Sequence, residues 1–212
     1  MALIISSIDC SFEYETGNEI LTQLDFTINE SEMVYVRGES GSGKSTFLKL
    51  LNRLIEPSSG MLEYRNNAYA AIDPTELRRK VQLVPQTPFL FPVSVMENLK
   101  MAARGVDDGR IIHYMGMFNL PRELLNRTGK QLSVGQAARV CVIRALLLEP
   151  DVVMLDEPTA ALDPKNKETF HNSFEVIRKE LNMATVWVSH DPAHDLHKEG
   201  RHLVLKEGTF LQ

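Results

Sequence analysis

Cysteine is scarce in this 212-residue chain. Cys10 and Cys141 stand far apart, with neither a CxxC pair nor a histidine at metal-ligand spacing. That pattern excludes a disulfide framework and a zinc ribbon, and fits two ordinary thiols in a reducing compartment. A basic excess is lacking too. The net charge is −5, which argues against the Lys/Arg footprint of a nucleic-acid binder, so no nucleic-acid partner is expected. No stretch approaches the ~18 apolar residues that a membrane helix requires. The nearest, Ala145–Leu155, is broken by Glu149, Pro150 and Asp151. Met1–Cys10 carries no basic region and no long apolar run, so it does not read as a signal peptide. The expectation is a soluble, cytoplasmic protein that borrows any membrane spans from another chain. Neither repeat, linker nor low-complexity segment divides it. A content of 43% hydrophobic and 24% charged residues suits one globular domain over 1–212.

What is present reads as alternating strands and helices. Ile4–Tyr14 and Ile20–Ile28 are β-rich runs around the turn Glu15-Thr16-Gly17-Asn18. Met33–Arg37 is a short apolar strand that enters a glycine cluster. Phe47, Leu48, Leu51, Leu54 and Ile55 then keep helical spacing from Lys44 until Pro57-Ser58-Ser59-Gly60. Met61–Tyr64 and Val81–Val84 read as strands. Residues between Phe89 and Pro150 are mostly helical, with a capping box at Ser94-Val95-Met96-Glu97 and a further helix over Gly135–Leu148. Val152–Leu155 and Ala184–Val188 are continuously apolar, as parallel strands buried on both faces are. Lys165–Leu181 is helical, and Lys206–Thr209 reads as the turn of a final hairpin. The fold class expected is α/β: a mostly parallel core sheet, an antiparallel β layer from the N-terminal strands, and a helical subdomain at about 92–149.

Two constellations carry chemistry. Gly38-Glu39-Ser40-Gly41-Ser42-Gly43-Lys44-Ser45-Thr46 matches GxxxxGK[ST] between a strand and a helix, the pattern of a P-loop NTPase. Glycines let successive backbone N–H groups turn inward as an anion nest, and the helix N-terminus adds unpaired donors. Lys44 is then placed for the β- and γ-phosphates of ATP, and the Ser45 hydroxyl for Mg²⁺. The second constellation is Val152-Val153-Met154-Leu155-Asp156-Glu157, an apolar strand ending in two acids. At the carboxyl end of a parallel strand, Asp156 faces the phosphate crevice and suits Mg²⁺. Glu157 is placed to take a proton from an attacking water.

With these, the order Gln86, Leu132-Ser133-Val134-Gly135-Gln136, Ala161-Leu162-Asp163 and His190 resembles the nucleotide-binding domains of ATP-binding cassette (ABC) transporters, over nearly the whole chain. The resemblance implies an ATP-hydrolysing subunit. In it Tyr14 stacks on adenine, Gln86 senses Mg²⁺ and water and touches a transmembrane partner, and His190 contacts the γ-phosphate. Ser133, Gly135 and Gln136 then bind the γ-phosphate held by a second copy, and Asp163 communicates between the two sites. One phosphate loop and one signature per chain make a closed homodimer the expected unit, docked on a permease that is a separate chain at the inner face of the membrane.

The sequence departs from the family at Val134, where the usual signature carries a glycine, and at Ala160, where a serine is frequent. The chain is short for the family, so no added regulatory domain is expected. Length and the run Pro85–Phe91 are similar to the small ATPase subunits of bacterial iron exporters of the FetA type. Two other readings stay open: a soluble ABC ATPase acting on nucleic acid or the ribosome, and a nucleotide-binding scaffold without hydrolysis. His190, His194 and His197 with Asp191 and Asp195 have a spacing that metal ligands use, although Pro192 interrupts that first turn. Trp187 reads as core. His113, His171 and His202 look incidental. Met96, Met101, Met115 and Met117 read as core or as an adaptable surface for a partner helix.

Overall fold

A computed structural model describes residues 2–15, 17–103, 105–189 and 199–211. The chain runs β1 (Leu3–Glu13), β2 (Glu19–Asn29), β3 (Met33–Arg37), α1 (Lys44–Leu51), β4 (Ser59–Tyr64), β5 (Asn67–Ala68), α2 (Pro74–Lys80) and β6 (Val81–Val84). It continues through α3 (Val95–Ala102), α4 (Asp108–Met117), α5 (Val134–Leu146), β7 (Val152–Asp156), α6 (Pro164–Glu180), β8 (Ala184–Val188), β9 (Arg201–Lys206) and β10 (Thr209–Phe210). Two sheets form. One has the order β2-β1-β4-β5 and is antiparallel. The other has the order β10-β9-β3-β8-β7-β6, parallel except for the terminal β9–β10 hairpin.

The apolar strands owe their composition to two cores, one on each face of the parallel sheet. Val34, Val36, Val152, Met154, Val186 and Val188 face α1 and the antiparallel sheet. Tyr35, Val153, Leu155 and Trp187 alternate with them and belong to one core with α3, α4, α5 and α6. Strand side chains alternate faces, so a run without polar residues is what burial on both sides demands. Each such side chain contributes about 1.5–3 kcal/mol through burial. Trp187 is core, ringed edge-on by Phe170 and Phe174. His171 stacks on it at 4.2 Å and is buried, so it is part of the packing rather than incidental. The methionines divide: Met115 is fully buried, Met96 and Met117 pack on the same core, and Met101 is exposed. Cys10 and Cys141 are both free and buried.

Local signals set the helix ends. Ser94 caps α3 with a reciprocal capping box to Glu97, Asp73 caps α2 before a proline, and Asp107 caps α4. The helix expected to reach Ile55 ends earlier, at Leu51. Arg53 takes a left-handed conformation (φ 56), its N–H donates to Leu50 O at 3.0 Å, and Leu54 N–H donates back to Lys49 O at 2.9 Å. That is a Schellman end, usually built on glycine. Here the Arg53 guanidinium is held by the carbonyls of Tyr69 and Ile72 and by Glu56. These contacts are distant in sequence, which is why helical spacing alone overshot the end. The short helices α2 and α4 were not delimited by the sequence reading.

Candidate functional site

Strand register assembles the site. In the parallel sheet Val36 pairs with Val188, Asp156 also pairs with Val188, and Val84 pairs with Leu155. The carboxyl ends of β3, β8, β7 and β6 are therefore level. The loop after β3, Glu157 after β7 and the glutamine after β6 all emerge on one side, where open parallel sheets hold ligands. They line a cleft of about 1040 Å³ that contains Tyr14, Gly38–Thr46, Gln86 and Glu157.

The loop is an anion receptor in form. Gly43 precedes α1 with φ 101, and a Cβ there would stand 2.8 Å from Leu21 Cδ2, so only glycine serves. Ser42 N–H bonds Glu39 O at 3.2 Å and closes the turn. Lys44 is buried, and its Nζ donates to Gly38 O at 2.8 Å and to Glu39 O at 2.7 Å. A cation thus sits at the mouth of the loop beside the free N–H groups that start α1, a setting that attracts phosphate.

Asp156 and Glu157 differ although adjacent. Asp156 is buried at the end of β7; burial pushes its carboxyl up, and the hydrogen bond from Ser45 pulls it partly back. Glu157 leaves the strand in the left-handed region (φ 49), where a non-glycine residue costs on the order of 1 kcal/mol. Its N–H donates to Val188 O at 3.0 Å, and its Oε2 accepts from Gln86 Nε2 at 3.1 Å. Ser45 with Asp156 offers a hydroxyl and a carboxylate of the kind that hold a hard cation. Glu157 with Gln86 offers a base and an amide next to it.

Tyr14 and Phe12 are sorted by the fold. Phe12 is in the core, and Tyr14 stands edge-on to it at 4.8 Å with its own ring 57% exposed in the cleft. The sequence reading missed Ile20, Arg37 and the stretch Val204–Glu207, which also line the cleft. Arg37 could have been found, since it directly precedes Gly38. The terminal hairpin could not: it reaches the cleft through the long-range pairing of β9 with β3 and a bond from Thr22 N–H to Gly208 O at 2.9 Å.

Ser133, Gly135, Gln136 and Asp163 are not among the residues that line this cleft. Ser133 caps α5: its Oγ accepts from Gln136 N–H at 3.2 Å, while Gln136 Oε1 accepts from Ser133 N–H at 3.0 Å. Val134 follows, 62% exposed. Gly135 is pressed against the turn before α6, where a Cβ would come within 2.7 Å of Leu162 Cδ2 and 3.3 Å of Ala161 O. Asp163 caps α6, accepting from the Asn166 side-chain amide at 2.5 Å and from Asn166 N–H at 3.1 Å, and that bonding holds its carboxyl below the usual range. His190, with His194, His197, Asp191 and Asp195, lies outside the described residues. Among the described residues no cluster of three or more His, Cys, Asp or Glu could hold a metal ion. Nor is any described helix long and apolar enough to cross a membrane.

The family model for "ABC transporter" matches residues 21–160. The chain belongs to the ABC transporter family. Among its relatives is the "Glycine betaine/carnitine/choline transport ATP-binding protein OpuCA" of Bacillus subtilis (strain 168), 33% identical over 94% of this chain and 54% of that one. Another is the "Probable iron export ATP-binding protein FetA" of Escherichia coli (strain K12), 34% identical over 82% of this chain and 79% of that one. A solved structure, "Dimeric structure of a post-hydrolysis state of the ATP-binding cassette MJ0796 bound to ADP and Pi", superposes with a TM-score of 0.87 at 30% identity, covering 99% of this chain and 97% of the other. The chain spans about half the length of the OpuCA relative it matches. The fold of this ABC protein is that of the family's ATP-binding domains.

Proposed function

We propose that this ABC protein binds ATP with Mg²⁺ at the Gly38–Thr46 loop, hydrolyses it, and so drives a membrane permease carried on a separate chain. The observation that carries the reading is the cleft itself: the anion-receiving loop with Lys44 and Ser45 meets the Gln86–Glu157 pair in one cavity, with the exposed Tyr14 lining it too and the buried Asp156 behind Ser45. In this reading Tyr14 stacks on the base, and the loop and Lys44 hold the phosphates. Ser45, Asp156 and Gln86 would hold Mg²⁺. The metal neutralises phosphate charge when bound. Glu157 removes a proton from water, and Lys44 with His190 stabilises the charge that develops on the transferred phosphoryl group.

Two copies close face to face, each placing Ser133, Gly135 and Gln136 on the other's γ-phosphate, with Asp163 linking the sites. The exposed capped start of α5, away from its own chain's cleft, supports this arrangement. Whole residues 1–212 act as one nucleotide-binding domain whose helical part, about 92–149, meets the permease at the inner face of the membrane. Binding closes the pair and hydrolysis releases it, as in other γ-phosphate switches.

Glu157→Gln tests the base. Removing a general base costs about 10²–10⁴-fold; the variant should keep its affinity for a fluorescent ATP analogue and lose turnover by that factor. Turnover at the native rate would remove Glu157 from the mechanism. The same tagged variant, recovered from detergent-solubilised membranes with Mg·ATP, should bring down a polytopic membrane protein in fixed ratio. Recovery of ribosomal or nucleic-acid partners instead would replace transport with soluble ABC work.

A further inference from the structure

The start of α5 has a second support besides the packing of Gly135. Arg139 lies one turn further along the helix and is partly buried. Its Nε donates to Gly135 O at 3.1 Å, and its Nη1 donates to Phe118 O at 3.0 Å and Asn119 O at 3.5 Å. Phe118 caps the C-terminus of α4, and Asn119 follows in a left-handed turn (φ 52). Their carbonyls are the negative end of the α4 dipole, where a cation is favoured. One guanidinium therefore closes α4 and grips the first turn of α5. The carboxylate of Asp163 also attracts it electrostatically, offsetting part of the desolvation that burial imposes. On its other side the same turn rests on Ala161 and Leu162.

From Leu162 the chain leads back to Glu157 by two short turns, Leu162 N–H to Thr159 O at 3.0 Å and Ala160 N–H to Glu157 O at 3.2 Å. The Ser133–Gln136 turn is thus clamped between the end of α4 and the segment that carries Glu157. A lysine would reproduce this grip only in part. Gly135 O is met by Nε, and the Phe118 and Asn119 carbonyls by Nη1, two nitrogens held apart in one plane, whereas an ammonium offers its donors from a single nitrogen.

We propose that Arg139 is a positioning residue for the pairing of two copies: it fixes the direction in which the first N–H groups of α5 and the Ser133 hydroxyl are presented to the nucleotide of the second copy. It acts through the turn it holds. The inference rests on the reading that this turn completes the partner's site, and it adds the group that holds the turn in place. Its loss is expected to separate two quantities that a general loss of structure would lower together, ATP binding by one chain and ATP-driven pairing of two.

The experiment uses the full chain in the Glu157→Gln background. It measures affinity for a fluorescent ATP analogue, melting temperature, and the dimer fraction against Mg·ATP by light scattering. Arg139→Ala is expected to leave analogue affinity within about threefold and to weaken ATP-driven dimerisation about tenfold or more, the scale of losing hydrogen bonds to a charged group. Arg139→Lys should recover part of the pairing. If Arg139→Ala does not fold, Arg139→Gln, which keeps a donor without the fork, takes its place with the same expectation. Dimerisation equal to the parent's, or a parallel loss of analogue affinity and pairing, overturns the proposal. A parent Glu157→Gln that binds the analogue yet stays monomeric fails at an earlier step: it overturns ATP-driven closure, and the role of Arg139 with it.

Discussion

Two helix starts in this molecule can receive an anion, and they are built in opposite ways. The start of α1 lies at the level carboxyl ends of four parallel strands. Lys44, Ser45, Asp156, Glu157 and Gln86 all reach it from one chain. The start of α5 has its capping serine, its own Gln136 and an exposed valine, and it lies outside the cleft. Sheet register makes the first a complete constellation. The second is held rigidly from behind, by Leu162 and Arg139, while its front faces outward. A surface so firmly supported and so sparsely furnished fits work done on another molecule, whereas the first site gathers its loop, base and amide from its own chain.

The sharpest way to break that contrast is at Lys44. Its ammonium contributes charged hydrogen bonds worth about 1.5–3 kcal/mol, so Lys44→Ala should weaken binding of a fluorescent ATP analogue about ten- to a hundredfold. Affinity unchanged by titration would show that the loop is not the phosphate receptor. The second test addresses the rear support of α5. Gly135→Ala forces a methyl group toward Leu162 and should lower stability in urea by about 1–3 kcal/mol, the usual cost of overpacking. Leu162→Ala in the same chain should recover part of that loss, and an additive double mutant would deny the contact.

The smallest effect should come from Asp156. Its carboxyl is raised by burial, so the folded state binds this proton more tightly than the unfolded chain does. The resulting penalty is present above the unfolded value, is carried in full at neutral pH, and disappears as pH falls below it. Asp156→Asn should therefore raise the nucleotide-free melting stability at pH 7 by roughly 0.5–1 kcal/mol, the stability-for-function exchange common at active sites, and the gain should vanish near pH 3. A variant less stable than the native chain at pH 7 would mean that the Ser45 bond outweighs burial.

Much of the first site could be read before folding, because its chemistry is local. Gly38–Thr46 needs glycines, a lysine and a helix start in one continuous stretch, and Asp156 with Glu157 must end an apolar strand. The capping residue Ser94 was equally legible, since a capping box spans only four positions. What escaped was non-local. Arg53 ends α1 through carbonyls of Tyr69 and Ile72, and the β9–β10 hairpin lines the cleft through its pairing with β3 and a single bond from Thr22 to Gly208. Packing also separates two nearby aromatics: Phe12 is buried within β1, whereas Tyr14, just past its end, is exposed at the cleft.

By itself, then, the sequence determined the chemical inventory and the type of most elements, since period, capping and loop composition act over a few residues. Tertiary structure decided where those groups meet. Parallel register brought Gln86, Glu157 and the phosphate loop together from positions some 40 to 120 residues apart. It also set the start of α5 against Leu162, Arg139 and the end of α4, because only close packing and converging carbonyls can fix the direction of a helix from behind.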